Sequence, residues 1–141
     1  MESRVENTIK RHDKGYNCAQ SVACTYCDLL GYDEADIFRM TEGFGAGMGG
    51  MEATCGALSG AVLLAGLKNS DGKLEGHKTK GKTYQLSKEM VKQFQEKCGA
   101  LVCRELKGVG EDRPKCSCAD CIKDAAAIVE NVLFGEENER V

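Results

Sequence analysis

Residues 43–60 read GFGAGMGGMEATCGALSG, and two folds compete for them. Gly45, Gly47 and Gly50 spell G-x-G-x-x-G, the loop that cradles a dinucleotide pyrophosphate between a strand and a helix. Such a loop needs a strand before it and a second parallel strand beyond the helix. The preceding DEADIFRMTE reads as helix instead, and Asp71, at a suitable distance for a ribose contact, sits in the turn-like NSDGK. No strand–helix alternation follows, so the nucleotide reading fails. What remains is a glycine backbone that allows unusual dihedrals and close approach, leading into Cys55.

On both sides of that stretch the signals are helical. Ser3 and Glu6 form a capping-box pattern before Val5, Ile9 and His12, with Gly15 as a stop. Asn17 and Gln20 repeat it for CAQSVACTYCDLLG, which Gly31 can end, and Asp33 can cap a short helix through Ile37 and Met40. After the glycines, Thr54 can cap CGALSGAVLLAGLK, apolar on every side and therefore expected to be buried. The segment 79–98 places Tyr84, Ser87, Met90, Val91, Phe94 and Cys98 on one stripe. A last helix is expected over 120–134, with Cys121, Ala125, Ile128, Val129 and Val132 inward and Gly135 as its end. With one proline and few β-branched runs, the chain predicts an all-α bundle of five to six helices around an apolar central helix at about 54–68. Residues 1–135 are read as one domain and 136–141 as an acidic tail.

Composition narrows the function. A net charge of -3 and scattered lysines argue against a nucleic-acid partner. The longest apolar run, Ala61 to Leu67, is far short of the roughly 20 residues of a membrane span. The opening MESRVENTIK has no apolar signal segment, so a cytoplasmic location is expected. The small-residue strip of Gly56 and Gly60 offers a face on which a second copy could pack as a homodimer.

Nine cysteines in 141 residues are the anomaly. Their number is odd, so complete internal pairing is impossible, and a reducing compartment favours metal-binding or redox roles over disulfides. Cys55 after Thr54, Cys18 after Asn17 and Cys121 after Asp120 all fall at predicted helix starts, where free N–H groups and the helix dipole favour a thiolate. Cys24 and Cys27 form C-x-x-C inside a helix with no preceding strand, so they are not a thioredoxin motif. Cys116, Cys118 and Cys121 give C-x-C-x-x-C, compact enough for three thiolates to reach one metal, with Cys103 near enough in sequence to complete a four-sulfur site. His12 reads as packed or exposed, and His77 as solvated in EGHKTKGK. With two histidines and no serine pattern, a hydrolase triad has no support.

GYNCAQSV, the glycine loop ending in CGALSGA, CREL, and a cysteine opening a last C-x-x-x-A-A helix occur in that order. The set resembles the redox-active family named for four cysteines and a CGAxxG motif (C_GCAxxG_C_C). The resemblance spans nearly the whole chain and implies that Cys18, Cys55, Cys103 and Cys121 are the four, with Gly56, Ala57 and Gly60 completing the motif. Relatives of that family hold an iron–sulfur cluster beside haem; this chain has no C-x-x-C-H, so the haem does not carry over. Cys24, Cys27, Cys98, Cys116 and Cys118 are additional to the four.

Three roles follow from these residues. Cys18, Cys55, Cys103 and Cys121 can converge on an iron–sulfur cluster for electron transfer to an unidentified partner, with Cys116 and Cys118 as secondary ligands. In that reading Gly45, Gly47, Gly49 and Gly56 give the cofactor backbone N–H groups. Alternatively, Cys18 or Cys55 serves as the attacking thiol of a metal-free dithiol oxidoreductase. The third role is a structural zinc site without catalysis.

Overall fold

Asn17 fixes where the first fully buried helix begins. In the computed structural model, which describes residues 1–111 and 113–135, its side-chain oxygen accepts the Gln20 N–H at 2.9 Å. The Gln20 side-chain oxygen in turn accepts the Asn17 N–H at 2.9 Å. This is the expected capping box, and it starts α2, Cys18–Tyr26, after α1, Val5–Asp13. A 3-10 turn, Cys27–Leu30, runs on to left-handed Gly31, and α3 is Glu34–Thr41. Then come α4, Gly56–Asn69; α5, Lys80–Cys98; α6, Cys103–Lys107; and α7, Cys118–Leu133. The described residues contain no strand, only one antiparallel bridge between Thr54 and Val102. The all-α expectation holds, with a short α6 that residue patterning does not announce. The acidic tail lies outside the described residues.

Several predicted caps move by a residue or more. Arg4, not Ser3, precedes α1 and makes no side-chain cap bond, whereas Asp33 stands before α3 as expected but makes none either. Thr54 is engaged in the bridge to Val102, so Cys55 itself is the N-cap of α4. Ser117, not Asp120, caps α7: its hydroxyl accepts the Asp120 N–H at 3.1 Å, and Cys118 becomes the first helical residue. Tyr84 is 67% exposed although its spacing put it on the inner stripe. The early turns of α5 carry no buried residue; its buried positions are Met90, Phe94 and Cys98.

Helix α4 packs against α2, α5 and α7. Leu58, Leu64, Met90, Phe94, Ile122, Ile128 and Val129 are at most 1% exposed and supply the core between them. Each such side chain contributes about 1.5–3 kcal/mol of burial. The small-residue strip of α4 is used within the chain. A Cβ on Gly60 would stand 2.6 Å from the Ala19 carbonyl oxygen, so α2 crosses α4 at backbone contact and covers the strip. The opposite face is less enclosed than an all-apolar helix leads one to expect: half-buried Val62 and Leu63 line a shallow groove with Phe44 and Val91.

Candidate metal and redox centre

Four helices begin at one place, and a cysteine stands at each beginning. Cys18 opens α2, Cys103 opens α6, Cys118 opens α7, and Cys55 is the N-cap of α4. All four line a cavity of about 190 Å³ together with Cys116, Cys121, Leu106, Lys107, Ala46, Asn17 and His12. The starts of α4 and α6 are held side by side by backbone. Cys55 N–H donates to the Leu101 carbonyl at 2.8 Å and Cys103 N–H to the Ala53 carbonyl at 2.9 Å, flanking the Thr54–Val102 bridge. Pairing of such short segments leaves no periodic trace in sequence, which is why this junction was not predicted.

The glycine loop wraps the same cavity. Ala46, Gly47 and Met48 all have positive φ (53°, 58° and 62°), a left-handed turn that costs roughly 1–2 kcal/mol at each residue other than glycine. It brings the Ala46 N–H onto the Cys18 sulfur. Gly47 must lack a side chain, since a Cβ there would lie 2.5 Å from Cβ of Cys103 and 2.9 Å from the Ala53 carbonyl oxygen. At Gly56 a Cβ would come 2.4 Å from the Cys18 sulfur, and at Gly45 it would enter the Asn17 side chain. Gly49 differs from these three. Its φ of 91° serves the turn, nothing lies near its missing Cβ, and its N–H is spent on the Gly45 carbonyl at 2.9 Å. Gly47 and Gly56 therefore clear space for Cys103 and Cys18, and Gly45 for the Asn17 cap.

Electrostatics separates the thiols. Cys55 is drawn down to about 7, first by a hydrogen bond from Cys121, then by the Ala57 and Leu58 N–H groups at the helix start and by Lys107; burial opposes the shift. Burial pushes Cys18 up against the help of the Ala46 N–H, and it pushes Cys103 up against the attraction of Lys107. Cys18 feels Cys55 and Cys118, and Cys103 feels Cys55, Cys18 and Cys118, so these four form one electrostatic group. Cys121 belongs as much to an inner group. Its thiol is within hydrogen-bond reach of Cys55, Cys98 and Cys116, contacts that with burial push it up. The ligand atoms of Cys98, Cys116 and Cys121 lie within 4.8 Å of one another, and all three residues are buried.

Sequence reasoning missed two participants. Cys98 ends the inner stripe of α5 and looked like a core residue. His12 lies on the cavity wall, with Nδ1 3.1 Å from the Tyr16 carbonyl oxygen. Cys24 and Cys27 lie apart from the cavity, 2% and 1% exposed; burial lifts Cys24 to about 12 and raises Cys27, the behaviour of inert core thiols.

A family model described as "Putative redox-active protein (C_GCAxxG_C_C)" matches residues 16–132. The chain belongs to this family. The matched span runs from the residue before Asn17 to the penultimate residue of α7, so it contains all four helix starts and every cysteine of the chain. Neither the curated proteins nor the solved structures give a match. The family's description supplies redox activity as a class, and a buried cysteine cluster able to hold a metal ion is present. Among the described residues, no helix is long and apolar enough to cross a membrane.

Proposed function

We propose that the protein is an electron-transfer protein whose cavity holds an iron–sulfur centre on Cys18, Cys55, Cys103 and Cys118. The observation that carries this reading is the convergence of four cysteine-led helix starts on one cavity. The donor set fits the group, because soft thiolates are the ligands iron–sulfur centres require. An anionic centre also suits the place: the N-termini of α2, α4 and α7 present positive dipole ends, and Lys107 adds a cation. The fourth sulfur is taken from Cys118 in preference to Cys121, since Ser117 caps α7 to make Cys118 its first residue, and the Cys121 thiol, besides reaching Cys55, is shared with Cys98 and Cys116. When bound, such a centre supplies reversible one-electron chemistry. The chain's own part is to orient the sulfurs, to donate N–H groups such as that of Ala46, and to limit water through apolar Leu106 and the glycine loop.

Anaerobic reconstitution with iron and sulfide tests this. Iron and acid-labile sulfide should be retained with a visible charge-transfer band. Changing any one of Cys18, Cys55, Cys103 or Cys118 to serine should remove most of both, whereas Cys24→Ala and Cys27→Ala should keep them. A colourless protein, or one whose iron depends on Cys24 or Cys27, ends the reading.

One observation favours a second reading, a metal-free dithiol reductant: Cys55 is held near 7 beside Cys121. The Cys55 thiolate would attack one sulfur of a substrate disulfide and release the other as thiolate. Cys121, giving up its proton, would then displace the second substrate sulfur to leave a Cys55–Cys121 disulfide. The substrate is thereby reduced by two electrons and the protein oxidised by two. Because the thiolate is the reactive form, carbamidomethylation of Cys55 in metal-free protein should rise through pH 7 and level off by about pH 8, where an ordinary thiol with a pKa of about 8.5 is still climbing. A profile that matches ordinary cysteine removes this alternative.

A further inference from the structure

Behind the cavity, the end of α5, the stretch after α6 and the first turns of α7 meet through side chains that the electron-transfer reading leaves unused. Cys98 is the last residue of α5, Cys116 precedes α7, and Cys121 and Asp124 stand one turn apart on the same face of α7. The Cys98 thiol donates to Asp124 Oδ2 at 3.4 Å, and the Cys121 thiol lies 3.9 Å from the Cys116 carbonyl oxygen. Three buried sulfurs lie within 4.8 Å of one another, and a carboxylate rests against one of them, placed to turn in as a fourth ligand.

We propose that Cys98, Cys116, Cys121 and Asp124 bind a single thiophilic divalent ion of the zinc class, at the rear wall of the iron–sulfur cavity and with ligands distinct from the cluster's four. A tetrahedral ion about 2.3 Å from each sulfur needs the sulfurs about 3.8 Å apart, so the three have to close by no more than about 1 Å. Small rotations of the cysteine side chains supply that. The ion replaces protons these thiols now share among themselves and with Asp124.

Its effect follows from what the ligands join. Backbone bonds already tie this stretch to α6, since the N–H groups of Lys115 and Cys116 both donate to the Leu106 carbonyl, at 2.9 and 3.2 Å. An ion adds the end of α5 and the start of α7 to that junction. Because Cys116 and Cys121 also line the cavity, the site braces the cavity's rear wall. The ion has no redox role, since zinc-class ions offer no second oxidation state.

The test is a cobalt titration of the full chain, purified metal-free under reducing conditions. Cobalt should bind with a thiolate-to-metal charge-transfer band and intense tetrahedral ligand-field bands, and zinc should displace it. The combined Cys18→Ser, Cys103→Ser, Cys118→Ser variant should keep this spectrum. In that same variant background, Cys98→Ser with Cys116→Ser should abolish it, and Asp124→Asn should weaken cobalt binding tenfold or more with the helical circular dichroism unchanged. The proposal is overturned if the combined variant loses the cobalt bands, or if they survive the change at Cys98 and Cys116. Iron and sulfide retention is a separate measurement, so failure of the cavity reading would leave this signal standing, and the reverse also holds.

Discussion

Gly56→Ala should unfold the protein at markedly lower denaturant, while Gly66→Ala, ten residues along the same helix, should stabilise it. Both are glycines of α4. At Gly56 the added Cβ would meet the Cys18 sulfur at 2.4 Å, the Phe44 carbonyl oxygen at 2.8 Å and the Gly45 Cα at 3.3 Å. The sulfur can rotate away, but the two backbone atoms cannot move without shifting the glycine loop. Overpacking of this kind costs roughly 1–3 kcal/mol. At Gly66 nothing lies within 4 Å of the added atom, so only the helix preference for alanine acts, worth roughly 0.5–1 kcal/mol. Equilibrium urea unfolding of both variants in metal-free form gives the comparison. If Gly56→Ala is no less stable than the parent, the close approach of α4 to Cys18 is not a feature of the molecule. The same variant should also lose the iron proposed for the cavity, because the displaced sulfur is one of the four proposed ligands.

This pair of glycines shows what residue patterning could and could not reveal. The glycine loop and Cys55 were legible as a backbone built for approach, because a G-x-G-x-x-G without flanking strands has few other uses. What the thiols approach was not legible. Capping chemistry placed Cys18 at the start of α2 correctly, since Asn17 and Gln20 satisfy both halves of a capping box. At α7 the same logic chose Asp120, an acceptable cap, over Ser117, and the helix begins at Cys118, earlier than the predicted start beside Cys121. The short α6 escaped because five residues hold no periodicity, and its position depends on a bridge between Thr54 and Val102, 48 residues apart. The inner group was hidden for a related reason. Cys98 obeys the apolar stripe of α5, and only the packing of α5 on α7 brings it to Cys121 and Asp124.

Convergence of helix starts also requires that the other ends be held, and one carboxylate does much of this. Tyr26, fully buried as the last residue of α2, donates its hydroxyl to Glu130 Oε2 at 2.5 Å, and the Arg4 N–H donates to the same oxygen at 2.8 Å. Burial, followed by the hydrogen bond to Glu130, raises the Tyr26 hydroxyl well above the usual phenol range, so it stays a donor at any working pH. The node lies about 12 Å along α2 from Cys18 and about 18 Å along α7 from Cys118, taking 1.5 Å per residue. It therefore aligns the two helices whose first residues face the cavity. Glu130→Ala should destabilise the protein by roughly 2–4 kcal/mol, because two donors lose their shared acceptor. Tyr26→Phe should cost about 1–3 kcal/mol, and the double change should cost less than the sum, with a coupling of about 0.5–3 kcal/mol. Urea unfolding of the four proteins closes this cycle. Strict additivity would mean that the two side chains act independently and that α2 and α7 are aligned by apolar packing alone. Below its unfolding transition the Glu130→Ala protein should still load iron as fully as the parent. The clamp acts on how often the bundle opens, and the cysteines decide what it holds when closed.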